Sequence, residues 1–152
     1  MIKKAKKLIT IGHIDMVDLP ELGLSNIQCK IDTGADSSAI HCHRVKIKEK
    51  DGQEFLTFKL LDPKHPYYQK KDITIHNFKE RRVRSSNGQT QFRYVIKTKV
   101  VIFGNTYETE FTLADRAKMK YPILLGKKLL NKNFLVDVSQ KYLSSKQKDA
   151  EE

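Results

Sequence analysis

The sequence predicts a single, mainly antiparallel all-β domain. Two patterns carry that expectation. Apolar and polar residues alternate with period two over several stretches, and three two-residue turn signals, Asp51-Gly52, Asn87-Gly88 and Gly104-Asn105, lie between such stretches. The length supports it, since 152 residues can bury one real core but not two well-packed ones. In chain order, Ile27, Cys29 and Ile31 alternate with Gln28, Lys30 and Asp32, and Val45 and Ile47 alternate with Lys46 and Lys48. Asp51-Gly52 then reverses the chain into Phe55 to Leu61. Pro63 to Lys71, with two prolines and three lysines, reads as a loop. Phe92, Tyr94 and Ile96 follow Asn87-Gly88, and Val100 to Phe103 runs into Gly104-Asn105. Tyr107, Thr109, Phe111 and Leu113 share a face opposite Glu108 and Glu110. One short helix candidate spans Gly126 to Asn131, and Phe134-Leu135-Val136 reads as a buried strand. Residues 1–143 are expected to form the domain and 144–152 a flexible polar tail.

Lys and Arg number 29 against 18 Asp and Glu, a formal charge of +11. That excess fits a solvated cationic surface or an anionic partner: nucleic acid, an anionic membrane or an acidic polypeptide. Two cysteines, Cys29 and Cys42, are too few for a disulfide scaffold, so a reduced, cytoplasmic chain is expected. No apolar run approaches the roughly 20 residues of a membrane helix. The first seven residues start like a signal peptide, but Leu8 to Gly12 is short for its apolar region.

The sharpest chemical feature is Ile31-Asp32-Thr33-Gly34-Ala35-Asp36-Ser37-Ser38, an apolar strand running directly into a carboxylate, a hydroxyl and a glycine. Gly34 permits a tight turn, Thr33 can hydrogen-bond across it, and Asp32 is presented at a strand end. Read locally, this is equally an Asx-type turn between two strands. The second feature is Tyr121 to Leu130, an apolar strand, Gly126 and a basic short helix. His41-Cys42-His43 could place two imidazoles on one strand face, but no third ligand is evident, and strand histidines are the simpler reading. No His-Glu-x-x-His occurs. Gly126-Lys127 lacks the rest of a P-loop, with Tyr121 where the first glycine would be and Lys128 where Ser or Thr would be. Neither a metal nor any other cofactor is therefore expected.

Together and in this order, the two features resemble the retropepsin type of aspartic protease. Asp32-Thr33-Gly34-Ala35-Asp36 matches its first motif and Leu124-Leu125-Gly126-Lys127 its second, while Arg81 to Ile96 around Asn87-Gly88 stands where such enzymes have a flap hairpin. A closer resemblance runs along nearly the whole chain, through Ile11-Gly12, Leu19-Pro20-Glu21-Leu22-Gly23, Lys30 to Ala35, Arg82 to Gly88, Ala114-Asp115-Arg116 and Phe134-Leu135-Val136-Asp137. These look like a bacterial family carried under the label ATP-dependent zinc protease and now grouped with the retropepsin-like aspartic peptidases. Its members often accompany, or are fused to, ATP-grasp glutamate ligases of the RimK type.

The resemblance implies a closed retropepsin-like barrel with one short C-terminal helix, and an aspartic rather than a zinc mechanism. Two carboxylates sharing one proton are needed, because like charges about 3 Å apart do not both ionise. The chain carries one Asp-Thr-Gly, and Asp115 and Asp137 lack the residues that follow it in that motif. A C2 homodimer bringing together Asp32 from each chain is the economical arrangement. By the same resemblance Asp32, Thr33 and Gly34 are catalytic. Ala35, Asp36, Ser86, Asn87, Gly88, Arg82 and Arg84 would contact substrate, and Leu125, Gly126 and Lys127 would support the loop, Lys127 by pairing with Asp36. Ser86, Asn87 and Gly88 read equally as an ordinary hairpin turn. The flap's basic density, Lys79, Arg81, Arg82, Arg84 and Arg93, together with the ligase association, points to an acidic or glutamylated polypeptide. Two other readings stand beside this one. The first is a non-catalytic module of the same fold that regulates a glutamate ligase. The second is a basic β-barrel that binds RNA, which ranks last because nucleic-acid motifs and aromatic-rich strands are missing. A membrane is not an expected partner.

Overall fold

The computed structural model describes residues 7–84, 88–114 and 120–151. Eleven strands and two helices make up the described chain, with a 3-10 turn at Pro20–Leu22. The strands are β1 (Ile9–Ile11), β2 (Ile14–Leu19), β3 (Leu24–Ile31), β4 (Ser38–Lys50), β5 (Gln53–Leu60), β6 (Ile73–Ile75), β7 (Phe78–Arg84), β8 (Thr90–Ile102), β9 (Asn105–Ala114), β10 (Ile123–Leu125) and β11 (Phe134–Val136). The helices are α1 (Lys127–Leu130) and α2 (Leu143–Glu151). No described helix is long and apolar enough to cross a membrane.

β4–β5, β7–β8 and β8–β9 pair as three antiparallel hairpins. Asp51 and Gly52 both have positive φ, 53° and 78°, which matches the right-handed twist of β4 and β5. β7 and β8 pair from Phe78↔Ile96 to Arg84↔Thr90. The third turn is one residue earlier than expected. Ile102 pairs with Asn105, so Phe103 and Gly104 are the turn residues, with φ 54° and 71°. Burial explains the shift: the Phe103 ring packs on Phe134, with ring centroids 6.1 Å apart, and its backbone N–H donates to Ser144 Oγ at 2.8 Å. The stretches read separately as Phe92 to Ile96 and Val100 to Phe103 are largely one strand, β8, of 13 residues.

Beyond the hairpins, the sheet is held by pairings far apart in sequence. The strands β10-β3-β2-β8-β9-β4 are hydrogen-bonded in that order, and β4 pairs back onto β10, closing a ring. Three of the pairings are parallel: β10 with β3, β4 with β9, and β1 with β11. The core includes Ile27, Cys29, Ile40, Phe58, Ile96, Phe111, Ile123 and Leu125, all essentially buried. Both cysteines are buried and neither forms a disulfide among the described residues, and burial pushes the Cys29 thiol far up, with Asp15 adding to it.

The stretch expected as a polar tail is helical over Leu143–Glu151. Its anchor is Asp15, a buried carboxylate on β2 that accepts from the backbone N–H groups of Ser144 at 2.9 Å and Ser145 at 3.2 Å. That satisfies amides a helix N-terminus cannot satisfy itself. The segment leading to the helix is laced onto β1 and β2 by Asp137 N–H to Ile11 O, His13 N–H to Gln140 O, and Tyr142 N–H to Ile14 O. It comes so close that a Cβ on Gly12 would lie 2.1 Å from Gln140 O.

Candidate active site

The register of β10 against β3 builds the site. Leu125 pairs with Ile31 in parallel, so Asp32 and Gly126 leave the sheet side by side. Asp32 N–H donates to Leu125 O at 2.9 Å. From there the loop of residues 32–37 folds over Gly126. Lys127 N–H donates to Ala35 O at 2.7 Å, Lys128 N–H to Asp36 O at 2.9 Å, and Gly126 N–H to Ser38 Oγ at 3.1 Å. A Cβ on Gly126 would stand 2.6 Å from Ser37 O and 2.8 Å from Ala35 O, so glycine is required there by close approach. The first amides of α1 are thereby spent on the loop that carries Asp32.

Asp32 is half-buried, with Oδ1 accepting the Gly34 N–H at 2.9 Å. Gly34 does not have positive φ; its role is proximity, since a Cβ there would meet Asp32 Oδ1 at 3.3 Å. Thr33 is exposed and lines an open cleft of about 700 Å3 whose floor is Leu130, Phe134 and Val136 and whose rim carries Arg81, Lys127 and Lys128. Lys127 Nζ lies 3.1 Å from Asp36 Oδ1, with both side chains largely exposed, so the pair contributes at most about 1 kcal/mol.

A second cleft, of about 430 Å3, adjoins the first at Asp36, Ser37 and Arg81, and runs under the β7–β8 hairpin. Arg81 donates to Glu110 Oε2 at 2.7 Å and to Ser37 Oγ at 3.3 Å, tying the hairpin to β9 and to the Asp32 loop. Partial burial alone would raise the Glu110 carboxyl, but Arg81, with Lys128 and Lys79, holds it below its ordinary value. Glu110 and Lys128 are outside the residues the sequence singles out as the site, and Arg81 enters there only as part of the flap's basic density. Alternation along β7 could have separated Arg81 from Arg82, because neighbouring side chains on a strand point to opposite faces. Which of those faces turns inward is set by the pairing of the hairpin with β9, and that pairing carries no local signal.

The remaining expected residues are placed as follows. Arg82 stands over the exposed Phe92 ring, its guanidinium carbon 5.4 Å from the centroid. Arg84 ends β7, paired with Thr90. Gly88 has φ 82° and is exposed, and Ser86 and Asn87 lie outside the described residues. Asp115 also lies outside them, whereas Asp137 folds its own turn by accepting from Ser139 and Gln140. His41 is buried, and the His43 ring stacks between it and Tyr68. Among the described residues no three His, Cys, Asp or Glu side chains gather as a metal-binding group, so the zinc label finds no donor set there.

A single-lobed ring of strands that presents one Asp-Thr-Gly loop, braced from behind by an apolar strand and glycine, defines the retropepsin-like class. Within it, the chain belongs to the RimB-like family of retropepsin-like aspartic endopeptidases, whose family model matches residues 10–147. It is 31% identical over 145 residues to a Shewanella halifaxensis protein named probable alpha-L-glutamate ligase, covering 93% of this chain and 31% of that protein. A Parasynechococcus marenigrum protein of the same name is 30% identical over 133 residues, covering 85% of this chain and 28% of the relative. The chain thus spans about a third of the length of the curated relatives it matches. A crystal structure of a Legionella pneumophila protein of unknown function shares the fold, with a TM-score of 0.70 at 21% identity over 91% of this chain and 99% of that one.

Proposed function

We propose that the protein is an aspartic endopeptidase whose catalytic pair is Asp32 from each of two chains in a homodimer, acting on acidic or glutamylated polypeptides in the cytoplasm. The observation that carries this is the Asp32 loop itself: a half-buried carboxylate on a strand end, fixed by backbone hydrogen bonds, in a loop whose Thr33, Asp36 and Ser37 line a cleft. One such carboxylate cannot be both base and acid, and Asp36 and Asp137 are engaged with Lys127 and with the turn at residues 137–140.

In the dimer, one carboxylate takes a proton from water as its oxygen attacks the scissile carbonyl carbon. The other, protonated, gives its proton to the carbonyl oxygen. Collapse of the resulting gem-diol breaks the C–N bond, and the amine leaves with a proton from the dyad. Thr33 braces the pair across the dimer, Gly34 and Ala35 line the substrate's path, and Leu125, Gly126 and Lys127 hold the loop. Asp36, Arg82, Arg84, Ser86, Asn87 and Gly88 contact the polypeptide and exclude water. The +11 charge and the naming of relatives as glutamate ligases favour an acidic chain end as substrate.

Asp32→Asn should abolish cleavage of an oligoglutamate peptide while leaving the unfolding midpoint unchanged. Specific activity of the wild type should fall on dilution below the dimer dissociation constant. Turnover by folded Asp32→Asn, or constant specific activity from a sedimenting monomer, would refute the shared dyad. A second reading is a non-catalytic module that regulates a glutamate ligase, and it is favoured by this module making up only about a third of the ligase-named relatives. It requires binding to such a ligase with no cleavage.

A further inference from the structure

The β7–β8 register sets Arg81 directly opposite Arg93, and Arg82 opposite Phe92. Side chains alternate across a strand, so the two arginines of the first pair share one face of the hairpin and Arg82 takes the other. Like charges directly opposed weaken a ladder, so this pair asks for a counter-charge. Arg81 has one in Glu110, 2.7 Å away. Arg93 does not: its guanidinium donates to the neutral side-chain oxygen of Gln91 at 3.4 Å, and it makes no ion pair among the described residues. It is nevertheless half-buried.

Arg81 and Arg93 face the cleft of about 430 Å3 whose other wall includes Ala35, Ala39 and Leu124. That wall begins three residues beyond Asp32. We propose that this cleft is a carboxylate subsite, in which Arg93, seconded by Arg81, binds an acidic group of the polypeptide close to the bond presented to Asp32. The inference rests on the peptidase reading for what happens next, but not for the binding itself. A guanidinium offers two parallel N–H groups that match a carboxylate, and the small apolar wall suits the methylenes of a glutamyl side chain. A bound carboxylate would supply the charge that the Arg81–Arg93 pair lacks. Arg82, stacked over Phe92, also lines this cleft and adds to its positive charge. The carboxylate could be a glutamyl side chain or a free chain end.

The test measures binding of hexaglutamate by calorimetry, using Asp32→Asn protein so that turnover does not intervene. Three probes separate the sources: the free acid, its C-terminal amide, and an amide with alternate Glu replaced by Gln. Arg93→Gln should weaken binding of hexaglutamate about tenfold or more, the loss of one charge-assisted contact. Arg93→Lys should recover part of it, and Lys50→Gln, the same charge change at the far hairpin, should have little effect. Equal losses for acid and amide assign a side-chain carboxylate, and a loss confined to the free acid assigns the chain end. Arg93→Gln should unfold no earlier than the parent, because it removes a like-charge contact, so weak binding would not reflect misfolding. Hexaglutamate binding equal in the parent and Arg93→Gln proteins, or absent from both, would overturn the subsite. Should the Arg93 effect hold while wild-type protein cleaves nothing, the peptidase reading fails and the subsite stands.

Discussion

Gly126→Ala is the most direct probe of how the Asp32 loop is held. The added Cβ would meet Ser37 O at 2.6 Å and Ala35 O at 2.8 Å, both backbone atoms. Reaching ordinary contact near 3.4 Å requires the Ser37 carbonyl to retreat by about 0.8 Å. The same loop accepts Lys127 N–H at 2.7 Å, Lys128 N–H at 2.9 Å and Gly126 N–H at 3.1 Å, so that retreat takes these bonds to the edge of their range. Overpacking typically costs about 1–3 kcal/mol and each weakened hydrogen bond up to about 1 kcal/mol, so a total of about 2–4 kcal/mol is expected. Against an overall stability of about 5–15 kcal/mol, that is a large fraction. The chain has no tryptophan, so urea unfolding is followed by far-ultraviolet circular dichroism and tyrosine fluorescence. Lys127→Ala is the comparison, because it removes only the exposed pair with Asp36 and should cost no more than about 1 kcal/mol. On the proposed peptidase reading, cleavage should fall by about 100-fold in Gly126→Ala, the usual penalty for a catalytic group displaced by about 1 Å. A Gly126→Ala protein within about 0.5 kcal/mol of wild type would show that the strand-glycine brace does not hold the loop, and would remove the reason given for that glycine.

Two further predictions concern titratable groups. Asp15→Ala should release α2, because Ser144 N–H would be left buried and unpaired, at a cost of about 1–3 kcal/mol and with loss of helical dichroism. Burial holds the Asp15 carboxyl above its ordinary value of 3.8, so its contribution to stability is greatest below that pH and declines as the pH rises through its folded value. Asp15→Asn should flatten this decline in a series of urea titrations, and an unchanged profile would contradict it. Glu110 has the opposite sign: its folded pKa lies below the ordinary 4.5, so its stabilisation is complete above that pH and is lost as the pH falls through the folded value. Glu110→Gln should remove that acid-side loss and loosen the β7–β8 hairpin in hydrogen exchange, whereas unchanged exchange would show that the Arg81 tie is not structural.

Short-range chemistry was legible in the sequence. Asp51-Gly52 specifies its hairpin because two left-handed residues suit the twist of the flanking strands, and Ile31 to Ser38 announces a rigid loop because a carboxylate, a hydroxyl and a glycine follow a strand without a break. What the turn signal could not fix was Phe103. Its burial against Phe134 moved the turn by one residue, and that contact spans 31 positions. The polar segment after Leu143 carried no apolar periodicity to reveal α2, which owes its start to a carboxylate far upstream at Asp15.

The family resemblance, the β-rich character and the Asp-Thr-Gly loop are readable from the residues alone, since they reside in contiguous stretches whose backbone preferences are local. Where that loop stands follows from pairings distant in sequence. β10 lies between β3 and β4 because its three buried residues pair with strand edges left open by the hairpins, and no local signal encodes a pairing between Ile123 and Cys29. The same holds for Arg93. Its charge is visible in the sequence, but its place opposite Arg81, facing the Asp32 loop, follows from the register of β7 against β8 and from which side of that hairpin the ring encloses.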